Sequence, residues 1–448
     1  MGRKFWTGIH SVYFIGIGGI SMSGLAHYLH MLGFSVAGSD VSANEETAKL
    51  AAEGIRVYRG HKAGNLREAD AVVVGSAIPE NNPELCKAHR LGIPVYGRAD
   101  LLAAVLSSFD KSVGIAGSHG KTTATAMCAH VMQACSGRCT AHIGGEDIGY
   151  GNFFVGGDKY FVTEACEYKG NFLKLKPDVA VILNTDKDHM ECYGSEEKLL
   201  EAYAEFAYSA NTAIVCGEDR IARELPGALK FGLMRDCDIF ADDIRTSGGK
   251  YSFTLCAGDE SFERIRLNVY GLHNIYNALA AASVAFRYGY PPVLIAEGLR
   301  EFRGIRRRFE FLGKMRGAEF IADYAHHPRE IAAALRTAGE VFKGRLFVIF
   351  QPHTYSRTKL LFSEFVSVLK DVENLVIYKT YPAREYFDAE GSALTLSEHL
   401  PNSLYIDSVR ELEIYLRCSL ASGDCVLFLG AGDIYFAAKQ LLLRQGTC

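Results

Sequence analysis

The sequence predicts an α/β protein of three domains, each built on a mainly parallel sheet flanked by helices. Three observations lead there. Short runs rich in Val, Ile, Phe and Tyr alternate with amphipathic stretches, the pattern of parallel strands joined by crossover helices. The pattern restarts twice along 448 residues, a length that suits several domains. Glycine-rich segments follow strands and open helices in the first two blocks: GIGGISMSGLA from Gly16 and GIAGSHGKTTATAM from Gly114.

Residues 1–107 form the first block, with strand signals SVYFIGIG, FSVAGSD, DAVVVGSA and IPVYG. Helices are expected through SMSGLAHYLHMLG and around NEETAKLAAEG. Residues 108–312 form the second block, where KSVGIAG, YFVTEA, DVAVILN and TAIVCG read as buried strands. Residues 313–448 form the third, with EFIADYAHHP, RLFVIFQPH, NLVIYKTYP and CVLFLGAGD. The basic stretch GIRRRFEFLGK, 304–314, separates the second block from the third.

Composition narrows the function. A net charge of −4 argues against a mainly electrostatic nucleic-acid footprint. No apolar run approaches the ~18 residues of a spanning helix, so membrane insertion is not expected. The N-terminal MGRKFWTGIHSVYFIGIGG reads as a first strand, because its apolar part is short and glycine-rich and lacks a cleavage signal. The 12 cysteines are scattered, Cys135 and Cys139 being the closest pair. They read as free thiols of a cytoplasmic protein, without disulfide or zinc spacing.

The first glycine loop carries Gly16, Gly18 and Gly19 between a strand and a helix, where backbone N–H groups can face an anion. Ser21 stands where the dinucleotide fingerprint has its third glycine, and its hydroxyl can donate to a phosphate. Asp40 ends the next strand, the place of a ribose-binding acid. A tight turn with ordinary strand–helix packing would read the same way.

The second loop is shorter than the usual P-loop, with Ile115 where the first glycine belongs. Gly117, Ser118, His119 and Gly120 can still cradle phosphates, with Thr123 completing the motif. Lys121 offers a charge to terminal phosphates, and the Thr122 hydroxyl can join Mg²⁺ coordination. A motor needs only this loop and a dehydrogenase only the first. Together they point to two substrates, one activated by ATP and one bearing a nucleotide handle.

Six further stretches follow in order: TEACEYKGNFL, NTDKDHMECYG, GLHNIYNALAA, IRRRFE, DYAHHP and QPHTYSR. With the two loops, they make the chain resemble the Mur ligase family over nearly its whole length. The resemblance implies an N-terminal Rossmann-like UDP-binding domain, a central P-loop ATPase domain and a C-terminal Rossmann-like domain. It implies that ATP phosphorylates the lactyl carboxylate of UDP-N-acetylmuramate and that the amine of L-alanine attacks the acyl phosphate. Mg²⁺ and cationic side chains would bring the anions together.

The resemblance also assigns roles. Lys121, Glu164, His189 and Arg308 would be catalytic, with Thr122, Glu164 and His189 on metal. ATP would meet the second loop, His273, Asn274, Asn277, Arg308 and Asp323. The UDP-sugar would meet the first loop, Ser21, Asp40, Ser76 and Arg98. Tyr324, His326, His353 and Arg357 would take the amino acid, Arg357 forking onto its carboxylate. The sequence departs from the commonest family pattern E-A-D-E-S-D, having Glu164-Ala165-Cys166-Glu167-Tyr168-Lys169, and no role carries over to Cys166 or Lys169. Thr354 stands where some relatives carry arginine, and Ala322 where many carry a second acid. AYAEFAYSA lacks the lysine that related ligases carbamylate, which fits the alanine-adding branch. The alternatives are a recycling ligase that joins a peptide to muramic acid, a nicotinamide-dependent oxidoreductase and a non-catalytic nucleotide-binding regulator. Oligomeric state stays open.

Overall fold

The computed structural model describes residues 6–186 and 190–444. The first sheet has five strands: β1 Ser11–Ile15, β2 Ser35–Asp40, β3 Arg56–Arg59, β4 Ala71–Val74 and β5 Val95–Gly97. Their order is β3-β2-β1-β4-β5, all parallel. Strand order reverses between β1 and β4, so the loops after these strands diverge and leave a crevice at their carboxyl ends. The first glycine loop leaves β1 here and enters the helix Ile20–Met31.

The second sheet has ten strands, β6 Lys111–Ala116, β7 Cys139–Asp147, β8 Gly151–Val155, β9 Tyr160–Glu164, β10 Val179–Ile182, β11 Thr212–Cys216, β12 Leu229–Gly232, β13 Ile239–Ser247, β14 Lys250–Ala257 and β15 Glu260–Tyr270. Its order is β15-β14-β13-β12-β11-β10-β6-β9-β7-β8. The central strands β6, β9 and β10 are almost wholly buried, in keeping with their mainly apolar sequences. In β14 burial instead alternates along the strand, in keeping with one wet face. The segment 239–270 is a run of three strands, β13 to β15, which is absent from the sequence-based expectation.

The third sheet comprises β16 Glu310–Met315, β17 Ala318–Asp323, β18 Leu346–Phe350, β19 Asn374–Tyr378, β20 Ser403–Ile406 and β21 Cys425–Leu429. It runs β16-β17-β21-β18-β19-β20, with only β16 antiparallel to its neighbour.

The chain divides into two compact units. The first takes residues 1–244, 252–267 and 274–303; the second takes 245–251, 268–273 and 304–448. Sheets one and two therefore share a unit through most of their length. One apolar cluster runs through it, from Phe14 and Leu25 to Phe153, Phe161 and Phe206. Polar contacts add to this. Asn152 Nδ2 donates to Ile20 O at 2.8 Å and to Glu46 Oε2 at 3.0 Å, and Lys49 pairs with Glu146 at 2.9 Å. The helix behind the first glycine loop is thus fixed against the β7–β8 hairpin. In the second unit the sheet is sandwiched between separate clusters around Phe320 and Phe428, and around Val348 and Leu427.

Among the described residues no cysteine is paired, and Cys86 and Cys418 are the exposed ones. No helix among them is long and apolar enough to cross a membrane.

Candidate active site

The site begins with register. Parallel pairing sets Ile115 of β6 beside Glu164 of β9, and Ala116 beside Ile182 of β10. The segments that leave these three strand ends must therefore lie together. They are the second glycine loop, Glu164 itself, and Asn184–Thr185.

The loop needs bare backbone at two places. Gly117 and Gly120 have φ of +143° and +82°, and a Cβ on Gly120 would fall 2.8 Å from Asn277 Oδ1. Gly120 caps the helix Lys121–Ser136, whose first turn carries no acid. Its N–H groups suit an anion. Asn184 pins the loop from the next strand: His119 N donates to Asn184 Oδ1 at 2.8 Å, and Asn184 Nδ2 donates back to His119 O at 3.0 Å. Behind it, Asp219 accepts from Thr185 N at 2.9 Å and Thr185 Oγ1 at 2.8 Å. Asp219 follows β11 and was not singled out from sequence.

Lys121 Nζ lies 2.9 Å from Glu167, whose side chain is 1% exposed, and also donates to the carbonyls of Gly117 and Ser118. Burial pulls the ammonium pKa down, but Glu167, with Cys166 and Glu164 near it, outweighs this and raises it. Lys121 is a held, permanent cation. Thr122 Oγ1 donates to Glu164 Oε2 at 2.9 Å. A hydroxyl and a carboxylate thus converge at the helix start, hard oxygen donors of the kind Mg²⁺ takes beside phosphate and water. No cluster of three His, Cys, Asp or Glu residues suited to a metal exists among the described residues. A metal here would depend on its ligand phosphates, which fits the sparse donor set. His189 lies outside the described residues.

Gly144 explains how Glu164 has room. A Cβ on it would sit 1.8 Å from Glu164 Oε2. Two residues earlier on the same strand, buried His142 places Nε2 2.8 Å from Ser21 Oγ and Nδ1 3.0 Å from Thr163 Oγ1. Arg98 Nη1 donates to the same Ser21 oxygen at 3.1 Å. Burial, then Arg98, push the His142 pKa down to about 3. The neutral ring ties the first glycine loop to the residue before Glu164. Neither His142 nor Gly144 was picked out from sequence, although a glycine pair inside a strand marks close approach.

The first-loop residues are also together. Gly18 N donates to Asp40 Oδ2 at 2.9 Å and Ser42 N donates to Asp40 Oδ1 at 2.9 Å. Asp40 therefore shapes the loop directly. Ser76 and Arg98 line a cavity of about 210 Å³ beside β4 and β5. Asn274 and Asn277, both 5% exposed, bond each other at 2.9 Å.

The second unit holds its own cluster. Asp323 accepts Phe309 N and Ala325 N, each at 2.8 Å, so it fixes the turn after Arg308. Burial raises its pKa, an effect Arg308 opposes. Arg308 lies over the Tyr324 ring at 5.2 Å and 3.8 Å from Glu330. His273 belongs to this unit, and burial, then Arg308 and Arg336, lower its pKa to about 4. His326 and His353 stack edge to face at 5.7 Å, and Arg357 Nη1 donates to His353 Nδ1 at 3.2 Å. Burial, followed by His326 and Arg357, keeps His353 neutral, with its pKa near 3. Tyr324, His326, His353 and Arg357 are thus brought together. Arg307, not singled out individually from sequence, sits between the Tyr324 and Tyr435 rings at 4.7 and 5.0 Å.

Comparison with known proteins matches this layout. Residues 11–110 match the Mur ligase family catalytic domain, 115–285 the Mur ligase middle domain and 307–432 the Mur ligase glutamate ligase domain. A UDP-N-acetylmuramate–L-alanine ligase of Acetivibrio thermocellus is 39% identical over 446 residues, 96% of this chain and 95% of that protein. The Carboxydothermus hydrogenoformans protein of that name is 40% identical over 448 residues, 96% of each. The crystal structure of UDP-N-acetylmuramate–alanine ligase from Thermotoga maritima superposes with a TM-score of 0.86 at 28% identity, covering 98% of this chain and 99% of that one. With the strand-end loop, the Glu164 carboxylate and three successive domain matches in agreement, the chain belongs to the Mur ligase family.

Proposed function

We propose that the protein joins L-alanine to the lactyl carboxylate of UDP-N-acetylmuramate at the expense of ATP, in the cytoplasm. The observation that carries this reading is the convergence of Lys121, Thr122 and Glu164 at adjacent strand ends in a chain so similar to L-alanine ligases.

A carboxylate is a poor electrophile, and phosphorylation supplies its leaving group. Lys121 holds terminal phosphate charge, and Glu167 keeps that ammonium in place without neutralising the loop's N–H groups. Thr122 and Glu164 are the residues that would hold Mg²⁺, which supplies neutralisation of phosphate charge. Gly117 and Gly120 let backbone approach the nucleotide closely, while Asn274 and Asn277 offer amide edges for a base. In the second unit, Arg357 offers a fork for the amino-acid carboxylate, and neutral His353 orients it. On the first sheet, Gly16, Gly18, Gly19, Ser21, Ser76 and Arg98 serve the UDP-sugar.

The test is phosphate release from ATP by the purified protein. Release requires UDP-N-acetylmuramate and L-alanine together. Release without that joint dependence overturns the reading, and a preference for a preformed peptide on muramic acid replaces it with recycling.

A further inference from the structure

We propose that Lys169, which replaces an acid of the common family pattern, is an anion-binding residue for the sugar nucleotide. The assignment rests on the ligase reading and goes beyond it by naming the cation. The cavity of about 210 Å³ is lined by Ser76, Glu80 and Arg98, which follow strands of the first sheet, and by Lys169, Asn171 and Lys174, which follow β9. Three cations face one acid, so the cavity is positive. Two of the cations are engaged: Arg98 donates to Ser21, and Lys174 pairs with Asp100 at 2.7 Å. Among the described residues Lys169 makes no ion pair, and its ammonium lies over the Tyr168 ring at 5.5 Å.

The backbone gives a second, separate observation. Lys169 is held at φ 53°, ψ 29°, a left-handed conformation, and Gly170 follows at φ 66°. Lysine is a costly residue there, whereas glycine or asparagine fits readily. Backbone strain of this kind persists only where the surrounding structure over-determines it, and it clusters at functional sites. The same turn carries Glu167, the partner of Lys121, and Gly170 N donates to Glu167 O at 2.8 Å. One turn thus anchors the phosphate-loop lysine and aims a second lysine at the cavity.

The shared chemistry of the ligand is an anionic oxygen group, and UDP-N-acetylmuramate offers two: the diphosphate and the lactyl carboxylate. The experiment is calorimetric binding of UDP, UDP-N-acetylglucosamine and UDP-N-acetylmuramate to the full chain, its Lys169→Asn variant and its Lys169→Arg variant. Asn accepts the left-handed backbone, so Lys169→Asn folds with an equal or higher Tm. It is expected to weaken UDP-N-acetylmuramate binding roughly five- to tenfold at low salt, less at high salt, with Lys169→Arg within about twofold of the parent. Weakening of all three ligands identifies the diphosphate; weakening of UDP-N-acetylmuramate alone identifies the carboxylate. Unchanged binding of all three by Lys169→Asn overturns the assignment. Failure of the parent chain to bind any of them overturns the ligase reading itself.

Discussion

His142 Nε2 sits 2.8 Å from Ser21 Oγ, so a buried neutral imidazole on β7 touches the first glycine loop. Its folded pKa, near 3, lies below the ordinary 6.5. Between these values the unfolded chain binds the proton and the folded chain does not, so folding stability falls as pH drops from 6.5 toward 3. His142→Gln removes that proton. Chemical denaturation at pH 7 and pH 5 should show the variant's loss on acidification smaller than the parent's by about 2 kcal/mol. An identical loss in both proteins would show that the ring titrates normally.

Gly144 leaves Glu164 its space, since a Cβ there would approach Oε2 to 1.8 Å. Glu164 can swing away, so Gly144→Ala should fold with stability within about 1 kcal/mol of the parent. Activity should fall about a hundredfold, by roughly 2.7 kcal/mol of transition-state stabilisation, with a higher Mg²⁺ requirement. Adding Glu164→Ala should cost little more, because both changes remove one group. Additive losses would separate the two residues.

Lys121→Ala should abolish ligation yet leave UDP-sugar binding within about twofold, a difference readable by calorimetry. It also takes the Lys121 cation away from the buried Glu167 carboxylate, at a cost of roughly 3–5 kcal/mol. Lys121→Ala with Glu167→Gln should regain stability without regaining activity. Equal loss of both ligands would mean that the two loops share one site.

Asp219 reaches the phosphate loop through Thr185 and Asn184. Asp219→Ala leaves those donors short of an acceptor, so the KM for ATP should rise about tenfold, near 1.4 kcal/mol. The value for L-alanine should barely move. Steady-state kinetics with each substrate varied would sink the idea if both constants rose together.

Much of this was legible because the chemistry is local. Lys121 and Thr122 stand in one short motif, and Glu164 ends an apolar run, so strand–loop–helix order exposes them. His142, Gly144 and Asp219 were not legible for the opposite reason. Sheet register alone brings them to the loops, across tens of residues, and single-sequence reading has no access to register. The strands of 239–270 escaped too, although the glycine pair at 248–249 and the Gly258–Asp259 step are turn signals between them. Asp40 and Asp323 show a subtler gap. A strand-end acid looks like a ligand contact in sequence, and here both carboxylates also bind backbone N–H groups and shape their own turns.

The distribution of thiols makes the protein ready for spectroscopy. Burial raises the pKa of Cys166 and Cys216 to about 11 and of Cys135, Cys237 and Cys425 to about 12, which slows their alkylation. Cys86 and Cys418 are exposed and fall in different units. With Cys192 and Cys448 changed to serine, maleimide dyes should label these two first. Energy transfer between donor and acceptor would then follow, in one molecule, how the two units respond as each substrate is added.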